Sequence, residues 1–316
     1  MNAPLIETRH LKKYFRVPQG YLHAVDDINL TIKRGETLGV VGESGCGKST
    51  LGRTILRLLE ATDGEVLYEG DNVLKLSNRE MNKMRQKMQI IFQDPYASLN
   101  PRMTISEIIA EPIIVRKLLH KQAEIDKRVR ELMELVGLAY RLVNTYPHEL
   151  DGGRRQRIGI ARELSLDPTF IVCDEPVSAL DVSIQAQILN LMMDLQDEMG
   201  FAYMFITHNL SVVKHISNNI MVMYLGQCVE MASAEELFAA PRHPYTKILL
   251  DAIPTVDLRF RKQEKEVIRG EVTNPINPKP GCRFAARCPF AKPECTAQDL
   301  ELRDVGNRHH VACVLY

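Results

Sequence analysis

The sequence predicts an α/β fold built on a parallel sheet, and three observations predict it. Short, uncharged, β-forming runs stand at Thr37-Leu38-Gly39-Val40-Val41, Thr169-Phe170-Ile171-Val172-Cys173 and Tyr203-Met204-Phe205-Ile206-Thr207. Strands buried on both faces read as such continuous apolar runs. A helical stretch from Ile184 to Met199 lies between the last two. Strand–helix–strand order is the layout of parallel strands joined by crossover helices.

Ahead of this core the chain alternates apolar and polar residues, at Leu5-Ile6-Glu7-Thr8 and again from Ala24 to Leu30. That period predicts an antiparallel β subdomain. Arg34-Gly35-Glu36 marks a turn before the first buried strand. After a Gly-rich loop, Leu51, Ile55, Leu58 and Leu59 fall on one helical face. From Thr104 to Leu138 the period is again helical, carried by Ile105, Ile108 and Ile109, then Val129, Leu132, Leu135 and Val136. A helical subdomain over about 95–160 is expected. Beyond about residue 235 prolines collect (Pro241, Pro244, Pro254, Pro275, Pro278, Pro280), which predicts an irregular segment. The expected division is a main domain over 1–240 and a Cys-rich C-terminal extension over 241–316.

A chain of 316 residues can bury a substantial core without disulfides or metals. Hydrophobic residues at 45% and charged residues at 25% suit a soluble globular protein. Lys plus Arg and Asp plus Glu both number 40, so no basic surplus argues for nucleic acid. No apolar run approaches the ~18 residues of a membrane span. Met1-Asn2-Ala3-Pro4 lacks the charged and then apolar layout of a secretory signal. The expectation is a cytosolic chain, held at any membrane by a partner.

Gly42-Glu43-Ser44-Gly45-Cys46-Gly47-Lys48-Ser49 matches G-x-x-x-x-G-K-[ST] in full, after a strand and before a helix. Glycines let backbone N–H groups turn inward around a phosphate, and the helix N-terminus adds a positive dipole. Lys48 is placed to reach β- and γ-phosphates, and Ser49 to ligate Mg²⁺. A Gly-rich turn carrying Lys-Ser by chance would not need the strand before it and the helix after it. The motif makes the expected core a P-loop NTPase (RecA-like) that binds ATP with Mg²⁺. A second strand, Phe170-Ile171-Val172-Cys173, ends in Asp174-Glu175. Beside a phosphate loop, Asp174 is expected to hold Mg²⁺ and Glu175 to act as general base on the attacking water.

With their surroundings, these residues resemble the nucleotide-binding subunits of ATP-binding cassette (ABC) transporters over most of 5–255. The resemblance implies roles for further residues. Ile91-Phe92-Gln93-Asp94-Pro95 resembles the glutamine loop, with Gln93 at Mg²⁺ and water. Ser178-Ala179-Leu180-Asp181 resembles the D-loop. Ile206-Thr207-His208 resembles the switch-histidine segment. Tyr14, or Phe15 beside it, would stack on adenine. Gly42 to Thr50, Phe92 to Pro101, Cys173 to Val182 and His243-Pro244-Tyr245-Thr246 together resemble the oligopeptide/dipeptide importer branch. That implies an F-type subunit paired with a second ATPase subunit on two transmembrane permease subunits, at the cytoplasmic face of the membrane. An extracytoplasmic solute-binding protein would be an indirect partner. Some members of the branch import oligosaccharides or nickel. A soluble cassette protein acting on ribosomes or DNA, and an ATP-binding regulator without turnover, are the competing classes. Neither a second cassette nor a long coiled-coil insert is present.

The family's signature is Leu-Ser-Gly-Gly-Gln, whereas this chain has Leu150-Asp151-Gly152-Gly153-Arg154. In the family this loop caps the γ-phosphate held by the opposite subunit. Asp151 brings negative charge to that anion, and Arg154 could offset it. Two readings stand: unequal ATP sites, or a variant without kinetic effect.

Four of seven cysteines crowd the C-terminal end, at Cys282, Cys288, Cys295 and Cys313. A zinc site usually carries a C-x₂₋₄-C knuckle, absent here. Iron–sulfur ligation accepts wider spacing, and Cys-Pro, as at Cys288-Pro289, is common beside it. Some importer-branch members hold a [4Fe–4S] cluster in such a segment. A [4Fe–4S] cluster, Zn²⁺ and an unmetallated segment are the three readings. Cys46, Cys173 and Cys228 are expected to be packing residues.

Overall fold

The computed structural model describes residues 3–253 and 275–316. Met1, Asn2 and Pro254 of the expectations above lie outside the described residues. In chain order the strands are β1 (Ile6–Val17), β2 (Gly20–Ile32), β3 (Thr37–Val41), β4 (Asp63–Tyr68), β5 (Asp71–Asn72), β6 (Met88–Ile91), β7 (Phe170–Asp174), β8 (Ala202–Ile206), β9 (Asn219–Tyr224), β10 (Gln227–Ser233), β11 (Arg303–Asp304) and β12 (His310–Val311). The helices are α1 (Lys48–Ile55), α2 (Asn78–Lys87), α3 (Pro95–Ser98), α4 (Ile105–Val115), α5 (Gln122–Leu135), α6 (Gly152–Leu164), α7 (Val182–Met199), α8 (Leu210–Ile216), α9 (Ala234–Ala239) and α10 (Pro244–Asp251). The chain forms two compact units. One runs to Lys75 and resumes at Phe205–Tyr316; the other is Leu76–Met204.

In the first unit, β2, β1, β4 and β5 make an antiparallel sheet in that order. The alternating pattern lay here, and Ile6 pairs with Ile32 as both side chains point inward. Every residue of β3 is buried, as its apolar run requires. It pairs in parallel with β9, Leu38 opposite Asn219 and Val41 opposite Val222. β10 and then β12 extend this sheet in antiparallel fashion.

The helix after the phosphate loop is shorter than its apolar face suggests. α1 ends at Ile55, Arg57 has a left-handed φ of 50°, and Leu58 is exposed. The region beyond 235 is more regular than its prolines suggest. Ser233 caps α9 by accepting from the Glu236 N–H, and Pro244 opens α10 from its first turn. There a proline loses no hydrogen bond and its fixed φ suits the helix. Among the described residues, 275–316 are bends, turns, two 3₁₀ helices (Ala285–Arg287 and Pro293–Thr296) and two short strands.

In the second unit, α2 and α4 start with full capping boxes, Ser77 with Glu80 and Thr104 with Glu107. α4 buries Ile105, Ile108, Ile109 and Ile113 and packs against α5 and α6. β6 pairs in parallel with β7. The short β6 and the polar α2 have too little periodicity to stand out in sequence.

A polar knot ties the C-terminal stretch to the first unit's sheet. Glu230 is fully buried. Its carboxylate accepts from the Arg242 N–H at 2.6 Å and the His243 N–H at 3.0 Å, and pairs with His309 Nε2 at 2.7 Å. His243 is itself buried, and its Nδ1 accepts from the Tyr245 N–H at 3.1 Å. Burial lowers the His243 pKa to about 4. In the unfolded chain it titrates at the ordinary value of about 6.5. The neutral folded form is therefore favoured above that value, and its contribution is lost as pH falls from about 6.5 towards 4. We predict a fall of up to about 3 kcal/mol across that window from this residue. His243→Asn keeps the cap acceptor without the titration. It should flatten that part of the decline, read as urea midpoints at pH 7.5 and 5.

Candidate nucleotide site

The phosphate loop leaves β3 at Val41 and ends in α1. Two of its glycines are required by close approach. A Cβ on Gly42 would stand 2.2 Å from the Met223 carbonyl oxygen, and one on Gly47 would stand 1.9 Å from that of Ala24. Both have left-handed φ, 153° and 104°. Ser44 and Gly45 are exposed at the tip, and Cys46 is buried beneath. Lys48 is 5% exposed, and its ammonium donates to the carbonyls of Gly42 at 2.8 Å and Glu43 at 2.9 Å. Ser49 and Thr50 lie half-buried in the first turn of α1. This cradle, lined by backbone and carrying one buried cation, fits a polyphosphate.

His208 belongs to the same unit. The Thr207 N–H donates to the Val40 carbonyl at 3.1 Å, so β8 ends level with β3, where the phosphate loop begins. His208 follows, exposed, before Asn209 caps α8 by accepting from the Ser211 N–H.

Tyr14 has its ring stacked on His23, centroids 3.7 Å apart and planes 17° apart. Its hydroxyl donates to Asp26. Burial raises the Tyr14 hydroxyl pKa, and the bond to Asp26 adds to it. Burial pushes the Asp26 carboxyl up, but bonds from Tyr14 and His23 and the Arg283 charge outweigh it and hold it below its ordinary value. Phe15 leaves the opposite face of β1, where the Lys13 ammonium lies 4.9 Å from its ring centre.

The acid pair belongs to the second unit. Asp174 is buried at the end of β7, and Glu175 follows with a left-handed φ of 50°. A non-glycine residue in that region is strained, and such strain concentrates at functional sites. The β6–β7 register sets Ile91 opposite Cys173. Carried two residues on, it sets Gln93 opposite Glu175, and Gln93 Nε2 donates to Glu175 Oε2 at 3.0 Å. Gln93 also reaches Ser178 Oγ at 3.5 Å. Sequence reasoning named both residues separately; their bond and the part of Ser178 come from the register.

Asp151 is the N-cap of α6. Its Oδ1 accepts from the Arg154 N–H at 2.8 Å, and Arg154 Nη1 lies 3.5 Å from its Oδ2. Serine and aspartate are both strong N-cap residues, so the departure from the signature keeps the helix start. Gly152 and Gly153 face Leu180 and Ile184; a Cβ on Gly153 would stand 2.6 Å from Ile184 Cγ2. Asp181 precedes α7 without a side-chain cap bond.

The metal expectation for Cys282, Cys288, Cys295 and Cys313 is not supported. All four are free thiols. Among the described residues no group of three or more His, Cys, Asp or Glu is arranged to hold a metal ion. Burial raises Cys282 to about 11 and shifts Cys288 and Cys313 upward, and the neighbouring thiols of the same group add to each shift. Among the described residues neither the [4Fe–4S] cluster nor Zn²⁺ is supported. Cys46, Cys173 and Cys228 are buried, as packing residues should be. Arg283 and Arg287, between Cys282 and Cys288, went unremarked in the sequence, although two arginines in so short a segment were a signal.

A P-loop nucleotide-binding protein is the class that this geometry defines. The ABC transporter family model matches residues 25–178, and the oligopeptide/dipeptide transporter C-terminal region matches 229–295. Over 99% of its length the chain is 48% identical to the oligopeptide transport ATP-binding protein AppF of Bacillus subtilis, covering 97% of it. It is 58% identical to OppF of the same organism, over 83% of this chain and 86% of that protein. Among solved structures, a dimeric post-hydrolysis state of the cassette MJ0796 bound to ADP and phosphate aligns with a TM-score of 0.66 at 29% identity, covering 72% of this chain and 98% of that one. The chain belongs to the ABC transporter family of ATP-binding proteins. Among the described residues no helix is long and apolar enough to cross a membrane.

Gly47→Ala tests the cradle. The added methyl meets the Ala24 carbonyl in a backbone conformation that alanine avoids. We expect Mg·ATP affinity to fall by roughly 100-fold or more, read by equilibrium binding, with the far-ultraviolet circular dichroism retained.

Proposed function

We propose that this chain is the ATP-hydrolysing subunit that energises an importer of di- or oligopeptides. The observation that carries hydrolysis is the strand-end Glu175, strained in backbone and held through its carboxylate by Gln93. Peptide import is supported by near full-length similarity to proteins named for oligopeptide transport. In this reading the backbone of Gly42 to Gly47 and the Lys48 ammonium bind the triphosphate. Ser49, Asp174 and Gln93 would hold Mg²⁺, which would supply positive charge to stabilise the triphosphate. Glu175 accepts the proton of the attacking water, Gln93 orients that carboxylate, and His208 contacts the γ-phosphate. Phe15 is the better adenine platform, because His23 already covers a face of Tyr14.

A second cassette subunit supplies the opposing half of each site, and two permease subunits hold the pair at the cytoplasmic face. Asp151, Gly152, Gly153 and Asp181 face that second subunit. Residues 1–240 form the ATPase domain and 241–316 the extension. The Asp151 charge is partly matched within its own loop by Arg154. The part of the Asp151 charge that Arg154 leaves unmatched makes the site using this loop the slower one, and the site built on Glu175 is hydrolytic.

Glu175→Gln should keep Mg·ATP binding and lower ATP turnover of the assembled transporter at least about 100-fold, measured as phosphate release. Turnover near wild type would remove Glu175 as base. Arg154→Ala leaves the Asp151 charge unmatched. It should lower turnover a further several-fold relative to wild type, with Asp151→Ser/Arg154→Ala recovering it.

A further inference from the structure

The segment between Cys282 and Cys288 reaches the phosphate loop directly. Arg287 forks onto the carboxylate of Glu43, the first residue after Gly42: Nη1 to Oε2 at 2.8 Å and Nη2 to Oε1 at 3.0 Å. Nη1 also donates to the Tyr224 hydroxyl at 3.0 Å. The Arg287 side chain is 7% exposed. It lies against Tyr224 and Phe284, whose rings pack edge to face with centroids 5.2 Å apart. Glu43 is a junction. Its N–H donates to the Tyr245 hydroxyl at 2.8 Å, and its carbonyl accepts from Lys48. Four residues earlier, Arg283 donates to the Leu225 carbonyl and to Asp26, the carboxylate that Tyr14 and His23 share. One turn of chain therefore touches both the phosphate loop and β2.

Glu43 sets a negative charge at the entrance of a loop whose task is to bind a polyanion. Unmatched, that charge opposes the ligand. A bidentate guanidinium both cancels it and fixes its direction, which a lysine ammonium would do less well. We propose that Arg287 is a positioning residue for nucleotide binding: through Glu43 it holds the first turn of the phosphate loop and removes a charge that would repel the triphosphate. The proposal rests on the ATP-binding reading above.

The test compares wild type, Arg287→Met, Glu43→Gln and the double variant in the assembled transporter. Arg287→Met keeps the apolar stem and leaves Glu43 unmatched. It should raise KM for Mg·ATP about tenfold with kcat held within about twofold. Glu43→Gln added to it removes the stranded charge and should recover most of that loss. Arg287→Lys, which keeps the charge without the fork, should fall between, and takes the place of Arg287→Met if that variant does not fold. In the nucleotide-free protein, hydrogen exchange at the amides of residues 42–47 should quicken in Arg287→Met. An unchanged KM, or a double variant no better than Arg287→Met, overturns the proposal. If wild type itself shows no saturable ATP turnover, the proposed function falls, and the exchange comparison alone decides whether Arg287 holds the loop.

Discussion

The first unit depends on a backbone that must present its own N–H groups to an anion. No side chain can share that surface. Gly42 and Gly47 therefore press against the carbonyls of Met223 and Ala24 at distances that exclude a Cβ. Those carbonyls belong to β9 and β2, so the loop's shape is set by two strands far apart in sequence. β3 must in turn be wholly buried, because it delivers the loop between them. The fully apolar strand, the glycine spacing and the buried Lys48 are three consequences of one requirement.

Parallel pairing does similar work in the second unit. A parallel ladder keeps a constant offset, so a pairing at Met88 and Phe170 persists to the strand ends. It carries Gln93 to Glu175, where a hydrogen bond closes between them. The αR–β regions that ordinary residues prefer are unavailable to Glu175, which turns sharply out of β7. The chain thus bears a strain cost where a carboxylate must leave a buried strand. The helical elements of this unit rest on local chemistry instead: capping boxes at their starts and apolar faces spaced for packing.

Polar contacts hold the C-terminal stretch in the first unit, beside the fully buried Phe284. Glu230 anchors it from below through His309, and Arg283 and Arg287 reach back to Asp26 and Glu43. A buried carboxylate with three partners fixes one arrangement strongly, because losing any partner leaves charge unsatisfied. The same segment carries the four cysteines, and burial together with the neighbouring thiols raises the pKa of Cys282, Cys288 and Cys313.

Much of this was legible in sequence. The strands β3, β7 and β8 announced themselves as apolar runs, because burial on both faces leaves no room for alternation. The phosphate loop was legible because its chemistry needs glycine and lysine at fixed spacing. Helix ends were less legible: α1 stops at Ile55 although Leu58 and Leu59 continue its apolar face, since Arg57 turns left-handed. Four clustered cysteines suggested a metal, but spacing counts ligands without orienting them. The bonds from Gln93 to Glu175 and from Arg287 to Glu43 join residues 82 and 244 positions apart. Local pattern encodes what each residue is able to do. Only strand register and packing determine which residues meet, because those depend on every element between them.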